Sequence, residues 1–283
     1  MLTLIFTWPV TVLLNSHAMA RQRLGQHFLN DPGWQQRILA TLPDRDGDTW
    51  IEIGAGQGQM TRLLAARGGT LVAIERDPPL AQKLQAEVLQ NPAPWARVEI
   101  VSGDVLSCNL GSLVAGRFRV CGNLPYYITS PILHHLFRHA HRIDSIHIVI
   151  QREVAERIVA RPGSRDYGYL SVICQFYTKP QIVLRIPPGA FRPPPKVNSA
   201  LLQMTLPGER ASLQIKPADE TAFLEFVQRC FQQKRRTLRN NLREGRSDAE
   251  IFQALADVGA RADARAEQLT IAQFAALFAR LNK

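Results

Sequence analysis

The sequence lacks the cysteine pairs that cross-link small secreted domains or bind structural zinc. Its 283 residues contain four cysteines, and no two of these form a Cys-x-x-Cys pair. This pattern argues against a disulfide scaffold or a structural zinc site, and it is typical of a protein in the reducing cytoplasm. Four histidines lie near one another without a fixed carboxylate partner, so we predict no metal site; they are His134, His135, His139 and His141.

Long apolar runs are also missing. The apolar stretch at the start, Met1–Ser16, is interrupted by Pro9 and is too short to span a bilayer. It partly resembles a signal peptide, but no Lys or Arg precedes Arg21, so the basic start of such a peptide is absent. We expect residues 1–18 to be an extension or to precede a true start at Met19, and we predict no membrane partner.

Acidic residues are scarce relative to basic ones. Lys and Arg total 34 against 24 Asp and Glu, which leaves a net charge of +10. A surplus of this size suggests a polyanionic partner, either nucleic acid or an acidic membrane surface. Its densest part, Arg229–Arg246, holds seven basic residues and only Glu244 as an acid. Such a segment suits phosphate contacts, although an ordinary solvated helix face is the alternative. We predict RNA contacts from Arg21, Arg23, Lys234, Arg235, Arg236 and Arg239.

Short apolar strands alternate with helical stretches through the first half of the chain. The predicted strands are Trp50–Ile53, Leu71–Ile74, Val98–Val101, Arg119–Gly122 and Ser145–Ile150. Helices are predicted between and after them, at about 58–67, 79–89, 130–138 and 151–160. This alternation predicts an α/β fold with a doubly wound, Rossmann-like parallel sheet.

The pattern changes after residue 168. Three strand-like runs, Tyr169–Tyr177, Gln181–Ile186 and Ser199–Leu206, predict that the sheet ends in antiparallel strands. Pro207-Gly208 then breaks the pattern. Beyond this break only helices are predicted, at about 218–233, 237–242, 248–258 and 271–281. We therefore predict two domains, an α/β domain over 19–206 and a smaller all-helical domain over 207–283.

A glycine motif ends the first of these strands, in Glu52-Ile53-Gly54-Ala55-Gly56-Gln57-Gly58. Glycines there allow a sharp turn and a close approach to a ligand, in the crevice where doubly wound sheets bind cofactors. Glu75 ends the next strand, where its carboxylate can accept both ribose hydroxyls. These features fit a dinucleotide or S-adenosylmethionine, and a tight turn without ligand is the alternative. The spacing is not the G-x-G-x-x-G of a pyrophosphate binder, and Asp104 after the third strand can accept from an adenine amino group.

The fourth predicted strand ends in Asn123-Leu124-Pro125-Tyr126, which suits methylation of an amine. An exocyclic amine on adenine is a poor nucleophile because its lone pair is delocalised into the ring. The Asn123 side-chain oxygen and the Leu124 carbonyl can hold its hydrogens and aim the lone pair, while Tyr126 offers a face for stacking. A sulfonium is already an activated methyl donor, so positioning counts for more than a strong base.

A second aromatic residue is predicted at this site. Phe191 lies in a proline-rich loop, Pro187–Pro195, which the prolines hold in one shape. We expect Phe191 to face Tyr126 across a flipped base. The alternative is that Phe191 only fills the core.

These motifs are similar to those of the ribosomal RNA adenine dimethyltransferase family, over nearly all of residues 21–283. The matching segments are Arg23–Leu29, Glu52–Gly56, Glu75, Gly103-Asp104, Asn123–Tyr126, Phe191–Ser199 and Phe231–Asn240. The resemblance implies that S-adenosylmethionine donates four methyl groups to N6 of two adjacent adenines near the 3′ end of small-subunit 16S rRNA. It also implies a role in maturation of the small ribosomal subunit. We further expect a cytoplasmic monomer.

The resemblance also implies the roles of single residues. The cofactor would be held by His27, Leu29, Gly54, Gly56, Glu75, Asp104 and Asn123. The catalytic pocket for the target would be formed by Asn123, Leu124, Tyr126 and Phe191. His27 and Tyr127 stand at positions where the family often has Asn.

Three other interpretations stay open from the sequence. One is a ribosome-assembly factor that kept the fold but lost catalysis, against which the intact tetrapeptide argues. Another is an NAD oxidoreductase, which the glycine spacing disfavours. The third is a sister family that methylates large-subunit rRNA, but Ile128–Leu133 and the full C-terminal domain look more like the small-subunit enzymes.

Overall fold

A computed structural model describes residues 26–43, 47–90, 97–213 and 215–282. The predictions made for residues 1–18, Arg21 and Arg23 therefore lie outside the described residues. Within the described part of the chain, no helix is both long and apolar enough to cross a membrane. The same residues contain no group of three or more His, Cys, Asp or Glu side chains arranged to hold a metal ion.

The first half of the chain alternates strands and helices as the sequence predicts. Its elements are β1 (Phe28–Leu29), α1 (Pro32–Thr41), β2 (Thr49–Ile53), α2 (Gln59–Ala65), β3 (Thr70–Glu75), α3 (Pro78–Gln90), β4 (Val98–Ser102), α4 (Leu110–Leu113) and β5 (Phe118–Asn123). The chain continues with α5 (Thr129–Phe137), β6 (Ile143–Gln151), α6 (Arg152–Ile158), α7 (Tyr169–Tyr177), β7 (Lys179–Ile186), β8 (Phe191–Arg192) and β9 (Ser199–Thr205).

Among the described residues, seven strands form one sheet in the order β4-β3-β2-β5-β6-β9-β7. The five strands from β4 to β6 are parallel. The last strands confirm the predicted change of direction, because β9 runs antiparallel to both β6 and β7. Helices cover the sheet, so its central strands are nearly continuous apolar runs with buried side chains. This order places the carboxyl ends of β2, β3, β4 and β5 at one edge.

The prediction of a strand over Tyr169–Tyr177 is wrong, because this segment is helix α7. Its side chains are apolar on two sides, which hides the helical period. Ile173 packs in the core of the sheet, while Val172 and Phe176 pack in the core of the C-terminal helices. The helix start is fixed by the Ser171 hydroxyl, which accepts a hydrogen bond from the Gly168 N–H at 3.0 Å.

The rest of the chain is helical and has a core of its own. It contains α8 (Glu220–Cys230), α9 (Leu238–Leu242), α10 (Asp248–Asp257) and α11 (Ile271–Leu281), with short 3₁₀ turns between them. Phe223, Phe226 and Phe274 are fully buried in this core. The core also takes in Tyr167 and the buried face of α7, so residues before position 207 help to build it.

Candidate cofactor site and active site

A cavity opens at the carboxyl ends of β2, β3, β4 and β5, where a doubly wound sheet binds its ligand. It has about 770 Å³ of free space, counting its open mouth. Most of the predicted cofactor and target residues line it: His27, Gly54, Gly56, Glu75, Asp104, Asn123, Leu124 and Tyr126. The structure thus brings together motifs that lie far apart in the sequence.

The glycine motif forms the turn that closes one wall of this cavity. Gly54 and Gly56 have φ angles of +78° and +57°, a region that favours glycine. A Cβ atom at Gly56 would lie 3.0 Å from two atoms of the Phe28 ring. The turn therefore needs glycine both for its backbone conformation and for the space that the segment before α1 occupies.

Glu75 joins the glycine turn to the end of β3. Its Oε2 accepts a hydrogen bond from the Gly56 N–H and its Oε1 one from the Asp77 N–H, both at 2.7 Å. The side chain is only 2% exposed, and this burial raises the pKa of Glu75, partly offset by the two N–H groups. Each carboxylate oxygen keeps a second acceptor direction, so Glu75 is equipped to bind a pair of ribose hydroxyls.

Asp104 occupies the cavity wall at the end of β4. Its Oδ1 accepts a hydrogen bond from the Leu106 N–H at 3.0 Å. Its Oδ2 lies 3.6 Å from Nε of Arg76. Arg76 also reaches Tyr127, whose hydroxyl accepts a hydrogen bond from Nη1 at 3.3 Å. The sequence reasoning missed both Arg76 and the contact of Tyr127, although Arg76 directly follows Glu75 and so had to lie at this edge.

Asn123 is held in one orientation by the segment before α1. Its Nδ2 donates to the carbonyl oxygen of His27 at 2.7 Å. The amide nitrogen is thus used within the protein, and Oδ1 is the atom that remains to accept from a ligand. The contact of His27 with this site is made by its backbone carbonyl, while its ring lies 5.7 Å from that of Tyr126, centroid to centroid.

Tyr126 is fixed at its polar end. Its hydroxyl lies 2.6 Å from the Ser199 hydroxyl at the start of β9. Burial raises the pKa of the Tyr126 phenol, with the Ser199 hydrogen bond acting against it, so the ring is neutral at physiological pH. A half-buried ring anchored in this way offers a flat, stationary face at the edge of the cavity.

Neither Phe191 nor Leu29 lines the cavity, which corrects the predicted place of the Phe191 ring, while the cofactor contact of Leu29 stays a prediction. Phe28 and Leu29 of β1 pair with Arg192 and Phe191 of β8 in a two-stranded antiparallel ribbon. Phe191 is completely buried, and Leu29 packs in the same apolar cluster. The predicted stacking of Phe191 opposite Tyr126 is not the observed arrangement, because its ring fills the core beneath the ribbon.

The basic segment of the C-terminal helices follows α8. Arg235 and Arg236 are exposed, and within the described part of the chain neither forms an ion pair. Arg239 lies 3.8 Å from Asp248 and has its guanidinium over the Phe252 ring, so it is partly engaged within the protein. Lys234 donates to the carbonyl oxygen of Arg165, in the loop before α7. Among the predicted RNA contacts that the structure describes, Arg235 and Arg236 are therefore the most available to a phosphate.

Comparisons with known proteins agree with this geometry. A family model described as ribosomal RNA adenine dimethylase matches residues 17–283. A ribosomal RNA small subunit methyltransferase A from Acidobacterium capsulatum is 41% identical over 265 residues, which is 93% of this chain and 91% of that protein.

Two solved structures share the fold over 90% of this chain. A dimethyladenosine transferase from Plasmodium falciparum has a TM-score of 0.76 at 23% identity, with 98% of its own chain covered. The 23S rRNA methyltransferase ErmE has a TM-score of 0.67 at 28% identity, with all of its chain covered.

The sheet order and the cavity at its carboxyl edge, taken together with the family match, define a Rossmann-like methyltransferase that uses S-adenosylmethionine. The residues present fit this cofactor, because buried Glu75 and half-buried Asp104 offer acceptors beside a turn that favours glycine. More narrowly, the chain belongs to the ribosomal RNA adenine dimethylase family, whose model covers nearly all of it.

Proposed function

We propose that this enzyme dimethylates N6 of two adjacent adenines near the 3′ end of 16S rRNA, during maturation of the small ribosomal subunit. The observation that carries the proposal is the orientation of Asn123. Because its Nδ2 is bound to the His27 carbonyl, its Oδ1 is left as an acceptor for an amine. The 41% identity to a relative named for the small subunit supports this choice of substrate.

The acceptors at the end of β5 would prepare the target amine. Asn123 Oδ1 and the carbonyl of Leu124 are adjacent in the chain, and Leu124 is held in place by its N–H, which donates to Val149 O at 3.0 Å. Two acceptors for the two amine hydrogens favour a pyramidal nitrogen whose lone pair projects away from the ring. Tyr126, anchored on Ser199, would stack on the base and hold it at this point.

The transfer step needs little acid–base chemistry from the protein. Bound S-adenosylmethionine supplies a methyl group on a positively charged sulfur. The Asn123 or Leu124 oxygen would accept the proton that N6 loses on methylation and pass it to solvent. Positioning is therefore the main contribution of these residues.

Binding of the cofactor would depend on two carboxylates at neighbouring strand ends. Glu75 would accept from the ribose hydroxyls, and Asp104 would accept from the adenine amino group. Both are preset by hydrogen bonds from backbone N–H groups. Such preset acceptors lose little side-chain freedom when the cofactor binds.

The RNA would lie across the surface that presents the exposed side chains of Arg235 and Arg236. Phosphate contacts position RNA without reading its sequence, and a loop can present unstacked bases to the cavity. We propose that the enzyme works as a monomer in the cytoplasm. The free state of all four cysteines supports a reducing compartment.

A direct test incubates the protein with tritiated S-adenosylmethionine and under-methylated small subunits, with large subunits as a comparison. Label recovered from small-subunit RNA as N6,N6-dimethyladenosine is the expected result. Label in large subunits instead, or no label despite tight binding to small subunits, would overturn the proposal. The second of these outcomes would identify an assembly factor without catalysis.

A further inference from the structure

A second cavity lies beside the first and shares a wall with it. Tyr126 and Tyr127 line both cavities. The second one has about 1000 Å³ of free space, counting its open mouth. Its walls come from α6, the start of α7 and the loop after α8, so it sits where the α/β part meets the C-terminal helices.

The lining of this second cavity combines aromatic faces with positive charge. Tyr169 and Phe231 are half-buried aromatic residues in its wall, and Tyr127 is exposed at its border with the first cavity. Aromatic rings of this kind bind bases by stacking, whatever the base.

Two cations, Arg157 and Lys234, also line the second cavity, against the single acid Asp166. Lys234 is fixed by its hydrogen bond to the Arg165 carbonyl oxygen at 2.6 Å, and its two remaining N–H groups are free to bind a phosphate. Arg157 is exposed on the last turn of α6. Stacking faces next to cations are the two components of a site for single-stranded nucleic acid.

We propose that this second cavity binds the nucleotide next to the target adenine in the same RNA strand. The inference rests on the proposed function, and it names the neighbour because the two cavities meet at consecutive residues, Tyr126 and Tyr127. An RNA strand that places one base against Tyr126 in the first cavity continues past Tyr127 into the second cavity. Its next base then meets Tyr169 and Phe231, and the phosphate between them meets Arg157 or Lys234.

This arrangement has a consequence for two adjacent adenines. While one adenine is at Asn123, the other is held in the second cavity rather than in solvent. The enzyme would then bind the pair as a unit, and removal of either base would weaken binding even though a target base remains.

The test is a binding cycle with an RNA hairpin that has two adjacent adenines in its loop. The hairpin is compared with versions in which either adenine is replaced by an abasic residue, and the protein is compared with Tyr169→Leu. Stacking of one base on an aromatic ring corresponds to a decrease of about ten-fold in affinity when either partner is removed. We expect each single change to weaken binding by about this factor. When Tyr169→Leu is combined with an abasic residue next to the target adenine, the affinity should fall no further than with either change alone, because both changes remove the same contact.

Two results would contradict the proposal. One is an affinity that falls by about a hundred-fold when Tyr169→Leu is combined with the abasic neighbour, because the two losses would then be independent. The other is a Tyr169→Leu variant that binds the intact hairpin with wild-type affinity. Binding of S-adenosylmethionine should be unchanged in Tyr169→Leu, which reports that the variant folds. For variants that remove a charge from the second cavity, Arg97→Gln is the control, because exposed Arg97 precedes β4 at the opposite, amino-terminal edge of the sheet.

A second variant keeps the proposal testable if Tyr169→Leu is unstable. Arg157→Gln with Lys234→Gln changes only exposed side chains, and it should reduce the slope of log affinity against log salt by about 1, the contribution of one phosphate contact. An unchanged slope would contradict the phosphate part of the inference. The cycle measures binding alone. If Tyr169 and the neighbouring base prove to be coupled but the wild type transfers no methyl group, the second binding site is supported and the proposed function is contradicted.

Discussion

Asn123 shows how much of the site depends on the direction of one amide. The amide could present either its nitrogen or its oxygen to the cavity, and the two choices suit opposite ligands. The His27 carbonyl oxygen decides between them by accepting from Nδ2 at 2.7 Å. The backbone of the segment before α1 thus sets the chemistry of a side chain at the end of β5.

We predict that Asn123→Ala lowers the rate of methyl transfer by about 100-fold or more, which is typical when one preset hydrogen bond to the reacting group is removed. Binding of RNA should be retained, because Arg235 and Arg236 are unchanged. Single-turnover methylation and RNA affinity, measured side by side, check this. Unchanged turnover would contradict the role of Asn123, and a parallel decrease in RNA binding would indicate a damaged fold.

The burial of Glu52, near the carboxyl end of β2, leads to a prediction about stability. Glu52 is 2% exposed, and burial raises its pKa to about 7; the Thr61 hydroxyl lowers this pKa and the Glu75 carboxylate raises it by smaller amounts. The folded protein therefore holds a proton on Glu52 that the unfolded chain releases near pH ~4.3. Stability must fall as pH rises from the unfolded pKa towards the folded one, and the cost is complete above the folded pKa.

We predict that Glu52→Gln removes this pH dependence. The free energy of unfolding of this variant minus that of wild type should be larger at about pH 8 than at about pH 5, by about 2–3 kcal/mol, whatever constant offset the new amide adds. Urea unfolding at the two pH values measures the difference. Exposed Glu99 provides the control, since Glu99→Gln should follow the wild type at both values. A difference near zero between the two pH values for Glu52→Gln would contradict the burial argument.

At the scale of elements, the ribbon of β1 and β8 links two distant motifs of the sequence. Phe191 and Leu29 are paired across it and are both buried. The ribbon fixes the chain just after His27, whose carbonyl oxygen holds Asn123. Phe191 therefore supports the active site from the core, through the ribbon and His27, without reaching the cavity itself.

We predict that Phe191→Ala destabilises the fold by about 3–5 kcal/mol, as is usual for a buried phenylalanine. It should also weaken cofactor binding, because the segment with His27 is no longer anchored. Thermal unfolding and S-adenosylmethionine titration test both effects. The opposite pattern, with normal stability and cofactor affinity but weak RNA binding, would restore the direct stacking role predicted from the sequence.

The sequence predicts regular elements better than it predicts which residues face the cavity. The alternation of strands and helices and the glycine turn are visible because each depends on a local pattern. The helix over Tyr169–Tyr177 is not, because burial on two sides leaves no periodic polar face. Arg76 and Tyr127 are missed for a related reason. Their contact at 3.3 Å joins the ends of β3 and β5, which only the sheet order brings together.

At the scale of the whole molecule, the basic side chains behind the charge of +10 differ in their availability to a partner. Several basic residues near α9 are engaged within the protein, Arg239 and Arg243 by Asp248 and Arg246 by the Leu281 carbonyl oxygen. Arg235 and Arg236 are exposed and, among the described residues, have no acidic partner. The long-range attraction for RNA should therefore depend on these two more than on the total charge.

We predict that Arg235→Glu combined with Arg236→Glu weakens binding to small subunits and reduces its salt slope by about 2, because each arginine would neutralise one phosphate. Affinity measured across a salt series checks this. Lys83→Glu with Arg97→Glu makes the same change of charge beside β4, the strand at one edge of the sheet, and should alter the slope far less. Equal effects of the two double variants would mean that only net charge matters.

Counting and locating the methyl groups tests the proposed dimethylation more directly than any binding measurement. Under-methylated small subunits are treated with the enzyme and S-adenosylmethionine, and the 3′ region of the 16S rRNA is analysed by mass spectrometry. We predict four methyl groups on two adjacent adenines, as two N6,N6-dimethyladenosines, and none after treatment with Asn123→Ala. Methyl groups on a single adenine, on another base or on large-subunit RNA would contradict this assignment.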